Sequence, residues 1–183
     1  MKMGFQGDVG SNSEEASYEF IKKLNNENIV PFALITSENV VSALLNKEIE
    51  FGVMALNNSI IGEVVETKKA MHKNIELIDT VEIPIHHCLF AKDKNSKIRY
   101  VASHIQALMQ TQDTRKTILK NVIDVECIDT AIAAKMLADG TYSEDYAVIC
   151  RKNAGELYNL YLLAENIEDD KSNKTLFGLF KLK

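Results

Sequence analysis

The sequence predicts an α/β fold in which short strands alternate with helices. Apolar runs rich in Val, Ile and Phe recur along the chain and are bounded by polar residues or Gly, which is typical of buried strands. Between them lie segments whose apolar residues have the i, i+3, i+4 spacing of amphipathic helices. The chain has 183 residues, 46% hydrophobic and 26% charged, so it is long enough for a sizeable core. This alternation favours stacked layers with parallel strand pairs.

The predicted elements follow one another without a flexible linker. Strands are expected at residues 3–5, 29–34, 49–54, 77–85, 88–91, 98–102, 122–125, 147–150 and 175–182. Helices are expected at 13–24, 37–46, 63–72, 104–120, 130–138 and 151–159. The stretch 165–173 has four acidic residues and few apolar ones, which predicts a solvated surface loop. With two prolines, eight glycines and no Gly/Ser-rich run, any second lobe must be connected directly to the first.

Composition excludes several classes of partner. The chain has 21 Lys and Arg against 26 Asp and Glu, a formal charge of -5, so no basic surface for nucleic acid or anionic lipid is expected. Apolar runs reach about five residues, far below the roughly 20 of a membrane helix, and the N-terminus lacks a signal pattern. We therefore expect a cytoplasmic protein with no nucleic-acid and no membrane partner.

Cysteine and histidine spacing does not indicate a metal site. Cys88, Cys127 and Cys150 are an odd set without CxxC spacing, which predicts reduced and mostly buried thiols. His86 and His87 are adjacent in a strand-like run, where neighbours point to opposite faces, so they cannot bind one metal ion together. No metal is expected.

Small polar residues recur where a predicted strand is followed by a helix. The four junctions are residues 7–13, 57–62, 103–104 and 129–130. The first N–H groups of a helix lack intrahelical partners, so several helix starts facing one cleft would bind a small carboxylate. For any one junction, the simpler explanation is that Ser, Asn and Asp are good N-caps.

Seven segments containing these junctions occur in a characteristic order. They are Gly7-x-x-Gly10-x-x-Ser13; Gly52-Val53 with Asn57-Asn58-Ser59-Ile60-Ile61-Gly62; Ile85-His86-His87-Cys88-Leu89; Ser103-His104-Ile105-Gln106 with Gln110; Asp129-Thr130-Ala131 with Ala133-Ala134; residues 154–170; and Asn173-Lys174-Thr175-Leu176-Phe177. Together they resemble the catalytic domain of prephenate dehydratases and the related plant arogenate dehydratases.

The resemblance implies a two-lobed type II periplasmic-binding-protein-like fold with the ligand cleft between the lobes. Residues 1–183 would form one such domain, with lobe 1 at about 1–80 plus 160–183 and lobe 2 at about 81–159. The implied activity is the conversion of prephenate to phenylpyruvate, with loss of carbon dioxide and the ring hydroxyl, in L-phenylalanine biosynthesis. It requires no cofactor.

The resemblance also implies a set of site residues. Thr175 would donate a proton to the leaving hydroxyl, because an unionised hydroxyl can donate at any physiological pH. The other polar and aromatic residues of the motifs, with one lysine, would bind the substrate. These are Asn57, Asn58, Ser59, Ser103, Gln110, Asp129, Thr130, Phe177 and Lys174.

Three positions depart from the family pattern. Leu176 stands where the family has an arginine, Asn57 where it has a glutamate, and Asn12 where it has an aromatic residue. An arginine binds a carboxylate through two hydrogen bonds, so its loss matters most. Lys174 would share a strand face with residue 176, opposite Thr175, and we hypothesise that it partly replaces the missing charge.

Several questions stay open in the sequence. Only six residues follow Phe177, so we expect no C-terminal ACT domain and no feedback through one, and no chorismate mutase domain before Phe5. The resemblance implies a homodimer or a higher homo-oligomer. Prephenate and arogenate are both compatible substrates. The alternative functions are a non-aromatising prephenate decarboxylase and a non-catalytic protein that binds a small carboxylate or amino acid.

Overall fold

Two α/β units make up the computed structural model, which describes all residues, Met1–Lys183. The first unit comprises Met1–Ile85 and Ser172–Lys183, and the second comprises His86–Lys171. These bounds differ from the expected lobes in two places. Residues 81–85 belong to the first unit, because a strand there pairs with the C-terminal strand, and residues 160–171 belong to the second unit, because a strand within them pairs with a strand of that unit.

The strands and helices largely follow the sequence-based expectation. In chain order the strands are β1 (Lys2–Gln6), β2 (Val30–Ile35), β3 (Phe51–Asn58), β4 (Gly62–Glu63), β5 (Ile75–Pro84), β6 (Cys88–Ala91), β7 (Tyr100–Ser103), β8 (Ile123–Glu126), β9 (Tyr146–Cys150), β10 (Tyr161–Ala164) and β11 (Lys174–Leu182). The helices are α1 (Asn12–Leu24), α2 (Ser37–Leu45), α3 (Val65–Ala70), α4 (Ile105–Gln110), α5 (Gln112–Ile118), α6 (Thr130–Ala138) and α7 (Lys152–Leu157). None of the helices has the length and hydrophobicity needed to cross a membrane.

The first unit is built on a mixed sheet in the order β2-β1-β3-β11-β5, with β4 paired to β3. β1 runs parallel to β2 and β3, which requires the crossover helices α1 and α2. β11 runs antiparallel to both β3 and β5. Phe5, Phe20 and Phe177 lie in the core of this unit. The C-terminal strand is therefore a central strand of the sheet.

The second unit has a five-stranded sheet in the order β10-β6-β9-β7-β8. β7 runs parallel to β8 and β9, and β6 runs antiparallel to β9 and β10. α6 packs its small apolar face into the core beside β9. The three cysteines are free and buried, as predicted: Cys88, Cys127 and Cys150.

Four sequence-based expectations about local structure are wrong. The helix predicted at 104–120 is two helices, α4 and α5, because Thr111 leaves helical geometry at φ -124° and its hydroxyl donates to the Ala107 carbonyl at 2.7 Å. Residues 57–62 do not start a helix: they end β3, form the turn at 59–61 and begin β4, and α3 begins only at Val65. Two strands were not predicted: β4, which has only two residues, and β10. His86 and His87 lie between β5 and β6, outside any strand, although their side chains do differ in exposure.

The segment 165–173 is irregular, as predicted, but it is not fully solvated. Ile167, Glu168 and Asn173 are buried within it. The Glu168 carboxylate is kept inside by a hydrogen bond from the His87 backbone N–H at 3.0 Å. A carboxylate is seldom buried unless it is paired, so the acidic composition alone predicted an exposed segment.

Candidate functional site

A buried polar cluster lies where β3 meets β11 in the first unit. The strand register places Asn58 directly opposite Thr175, so both side chains lie on one face of the sheet. The Asn58 side chain is 4% exposed and that of Thr175 is 8% exposed. The Asn58 amide Nδ2 donates to Thr175 Oγ1 at 2.9 Å and to Asn173 Oδ1 at 2.8 Å. This cluster joins two of the motifs identified in the sequence.

The β3–β4 turn fixes the orientation of the Asn58 carboxamide. Its Oδ1 accepts hydrogen bonds from the backbone N–H groups of Ile60 at 3.0 Å and Ile61 at 3.2 Å. Ser59 ties the same turn to β11, because its N–H donates to the Lys174 carbonyl at 2.8 Å and its Oγ accepts from the Lys174 N–H at 3.0 Å. With the oxygen held by the turn, the amide nitrogen must face Thr175.

The Thr175 hydroxyl is therefore an acceptor for Asn58 and keeps its own proton. A threonine hydroxyl has one O–H donor and two acceptor lone pairs. The side-chain hydrogen bond of Thr175 is the one that its Oγ1 accepts from Asn58. Hydrogen bonds in a chain polarise one another, so the donation from Asn58 strengthens the Thr175 hydroxyl as a donor. The arrangement can hold a poised O–H donor on a central strand.

The two main departures from the family pattern, Leu176 and Asn57, are paired on neighbouring strands. Leu176 pairs with Asn57 on β3 and with Glu82 on β5. Side chains alternate along a strand, so this row lies on the face opposite Thr175. Lys174 lies on that face too, and its Nζ forms an exposed ion pair with Glu82 Oε2 at 2.8 Å. The lysine charge is thus partly neutralised by a neighbouring carboxylate.

Phe177 and Ser103 are buried in the interiors of their units. Phe177 packs in the core with Phe5 and Leu179. Ser103, at the end of β7, is completely buried, and its Oγ donates to the Ile149 carbonyl at 2.6 Å. The N-cap of α4 is His104, whose Nδ1 accepts from the Gln106 N–H at 3.3 Å.

Asp129 and Thr130 stand at the start of α6. Asp129 Oδ1 accepts from the N–H groups of Ala131 at 2.7 Å and Ile132 at 3.1 Å, which is the geometry of an N-cap. Thr130 is the first residue of the helix and is half-buried. The polar residues at this junction are explained locally by capping.

Gln110, at the end of α4, belongs to a buried network that the sequence did not reveal. Its Oε1 lies 2.8 Å from His87 Nε2, and its backbone carbonyl accepts from the Asp169 N–H at 2.8 Å. Burial lowers the pKa of the His87 imidazole, so the ring is neutral at physiological pH. The proton of the neutral ring is on Nε2, because a carboxamide oxygen can only accept.

Glu168 anchors the same network from the irregular segment. Its carboxylate is 1% exposed, and Oε1 lies 3.1 Å from Nδ1 of the half-exposed His86. Burial alone would raise the pKa of Glu168, but the hydrogen bonds from the His87 and Glu168 N–H groups, with His86, outweigh it and lower the pKa. The carboxylate is therefore ionised. No group of three or more His, Cys, Asp or Glu side chains could hold a metal ion.

The fold belongs to the two-lobed type II periplasmic-binding-protein-like class. A periplasmic substrate-binding protein of an ABC transporter from Coxiella burnetii matches it with a TM-score of 0.57 at 10% identity, covering 100% of this chain and 85% of that one. The crystal structure of prephenate dehydratase from Arthrobacter aurescens, in complex with L-Phe, matches with a TM-score of 0.85 at 22% identity, covering 100% and 61%.

Residues 3–183 match the family model described as prephenate dehydratase, and the chain belongs to that family. The prephenate dehydratase of Methanocaldococcus jannaschii is 42% identical over 131 residues, which is 70% of this chain and 46% of that protein. The chain thus spans less than half the length of this curated relative. The resemblance seen in the motifs is confirmed at the level of family and fold.

Proposed function

We propose that this protein is a prephenate dehydratase, a carbon–oxygen lyase that converts prephenate to phenylpyruvate in L-phenylalanine biosynthesis. The observation that carries the proposal is the hydrogen bond from Asn58 Nδ2 to Thr175 Oγ1 at 2.9 Å, which leaves the Thr175 proton directed elsewhere. The reaction needs a donor at the departing ring hydroxyl, and Thr175 is that donor. The reaction takes place in the cytoplasm and the protein is a homo-oligomer; both remain predictions.

The reaction balances with one proton. The bond between the ring and its carboxylate breaks, and carbon dioxide leaves. The electron pair of that bond moves into the ring and completes its aromaticity, while the ring C–O bond breaks. The departing oxygen takes the proton of Thr175 and leaves as water, and Thr175 recovers a proton from solvent. A positioned general acid contributes typically 10²–10⁴-fold in rate.

Other polar residues have different parts in the proposal. Asn58 and Ser59 hold the donor, and Gln110, Asp129 and Thr130 supply substrate contacts, as the resemblance implies. We assign no direct contact to Ser103, whose hydroxyl donates to the Ile149 carbonyl, or to Phe177, which packs in the core. Nor do we assign one to Asn57 and Lys174, which lie on the face opposite Thr175. Leu176 lies on that face as well, so the missing arginine does not remove the donor.

The comparisons do not favour the alternative functions. A non-aromatising decarboxylase would have no use for a donor at the ring hydroxyl, and a binding protein would have no use for a poised proton. Both alternatives predict that purified protein forms no phenylpyruvate.

The test is turnover of prephenate by purified protein, followed as phenylpyruvate formation, with arogenate assayed in parallel for phenylalanine. Thr175→Val keeps the β-branched shape and removes the hydroxyl, and Thr80→Val on β5 is the matched control. We expect Thr175→Val to lose about 10²-fold or more of kcat and Thr80→Val to lose nothing. Prephenate consumed without phenylpyruvate, or no consumption of either substrate, would contradict the proposal.

A further inference from the structure

The His87 side chain is buried and in direct contact with a residue proposed to bind substrate, but the reaction itself does not require it. His87 follows β5 and precedes β6, and Gln110 is the last residue of α4. Both side chains are buried. The contact between His87 Nε2 and Gln110 Oε1, at 2.8 Å, is within ordinary hydrogen-bond length.

The irregular segment 165–173 holds His87 and Gln110 in place through their backbones. The His87 N–H donates to Glu168 Oε2 at 3.0 Å, and the His87 carbonyl accepts from the Ile167 N–H at 2.9 Å. The Gln110 carbonyl accepts from the Asp169 N–H at 2.8 Å. Three consecutive residues of this segment, 167–169, are thus hydrogen-bonded to His87 or to Gln110. These backbone hydrogen bonds hold the two residues that the imidazole contact joins, as a positioning contact requires.

We propose that His87 is a positioning residue that sets the orientation of the Gln110 carboxamide for substrate binding. The oxygen and nitrogen of a carboxamide lie on opposite sides, and His87 Nε2–H can bond only the oxygen. The N–H₂ end is therefore turned away from His87, and the proposed function assigns to this end a hydrogen bond to a substrate oxygen. A carboxamide in the reverse orientation would present an acceptor to an anionic substrate. The inference rests on the proposed function, which places Gln110 in contact with substrate.

The buried carboxylate of Glu168 supports this arrangement indirectly. It bonds the backbone of His87 and not its ring, since the imidazole Nε2 faces Gln110. The ring of His86, by contrast, is half-exposed and lies beside Glu168. Glu168 therefore contacts both histidines in different ways. It binds the backbone of His87, whose buried ring contacts Gln110, and it binds the half-exposed ring of His86.

The test compares His87→Phe and His87→Gln in the full chain. Phe fills the ring volume without a donor, whereas the amide nitrogen of Gln can occupy the position of His Nε2 and restore the donor. We expect His87→Phe to lower kcat/KM for prephenate about tenfold, mostly through a higher KM, and His87→Gln to recover most of it. His72→Phe, at an exposed histidine of the first unit, is the control and should leave kcat/KM unchanged.

A second arm separates positioning from general structural support. In a Gln110→Ala background His87→Phe should change KM less than about twofold, because the group that it positions is already gone. Equal effects in both backgrounds, or no rescue by His87→Gln, would overturn the positioning role. An active wild type with an unaffected His87→Phe would do the same. A wild-type protein without turnover would instead refute the proposed function, and this inference with it.

Discussion

Exchanging Asn58 for aspartate reverses the hydrogen bond on which the proposed chemistry depends. Asp is nearly isosteric with Asn, so the two bonds that Oδ1 accepts from Ile60 and Ile61 survive. The other oxygen cannot donate, so Thr175 must donate to it, and the proton meant for the leaving hydroxyl is committed to residue 58. We expect Asn58→Asp to lower kcat about 10²-fold or more, as for loss of a general acid.

The effect of Asn58→Asp on stability follows from the same contacts. The substitution turns the donation to Asn173 Oδ1, at 2.8 Å, into a contact between two acceptors. At about 1 kcal/mol for each lost bond and an added penalty for an unsatisfied buried group, the free energy of unfolding should fall by roughly 2–3 kcal/mol. That corresponds to a Tm lowered by about 5–10 °C for a chain of this size.

The assay is phenylpyruvate formation against pH, with Tm measured on the same samples. A buried aspartate has a raised pKa, so acidification protonates residue 58 and restores a donor toward Thr175. The kcat of Asn58→Asp should therefore rise as the pH falls, relative to wild type. Exposed Asn28→Asp makes the same charge change and should leave both kcat and Tm unaltered. Wild-type kcat in Asn58→Asp would refute the proposed direction of the hydrogen bond.

Two further predictions concern the buried carboxylate and the missing arginine. Glu168 has a pKa below its ordinary value of 4.5, so its contribution to stability is complete above that pH and is lost as the pH falls through the lower folded-state pKa. Glu168→Gln should lower the free energy of unfolding, measured with urea at pH 7, by about 1–3 kcal/mol. It should also weaken the loss of stability that acidification causes in the wild type; an unchanged dependence of stability on acidic pH would contradict this. Leu176→Arg should change kcat less than about threefold, because residue 176 lies on the face opposite Thr175, and a rise of tenfold or more in kcat/KM would show that the arginine contacts substrate.

The sequence predicted the family and the alternation of elements, and it suggested Thr175 as a donor, but it did not predict the contacts around the Thr175 hydroxyl. Thr175 and Asn58 each belong to a motif that the sequence shows. That they lie directly opposite each other on neighbouring strands depends on β11 inserting between β3 and β5. That pairing is non-local, and no local pattern specifies it. Nor could the sequence tell which small polar residues cap a helix, as Asp129 does, because the same side chains also serve as ligand contacts.

The least predictable feature was the interior of the segment 165–173. Its acidic composition is typical of a solvated loop, whereas the buried Glu168 carboxylate is bonded by groups that include the His87 backbone N–H and the His86 ring, both from a distant part of the chain. The break at Thr111 was equally hidden, since the apolar period continues across it, and the side-chain hydrogen bonds of Thr111 and Arg115 to the end of α4 become visible only in the structure. In both places hydrogen bonds accompany a structure that composition and apolar pattern did not predict.

The most direct test of the Thr175 donor is the kcat of Thr175→Ser compared with that of Thr175→Val on prephenate. Serine keeps the hydroxyl that Asn58 holds, and valine keeps the shape without it. A general acid predicts that Thr175→Ser stays within about tenfold of wild type while Thr175→Val falls by about 10²-fold or more. Equal rates in the two variants would show that the hydroxyl of residue 175 does not donate the proton.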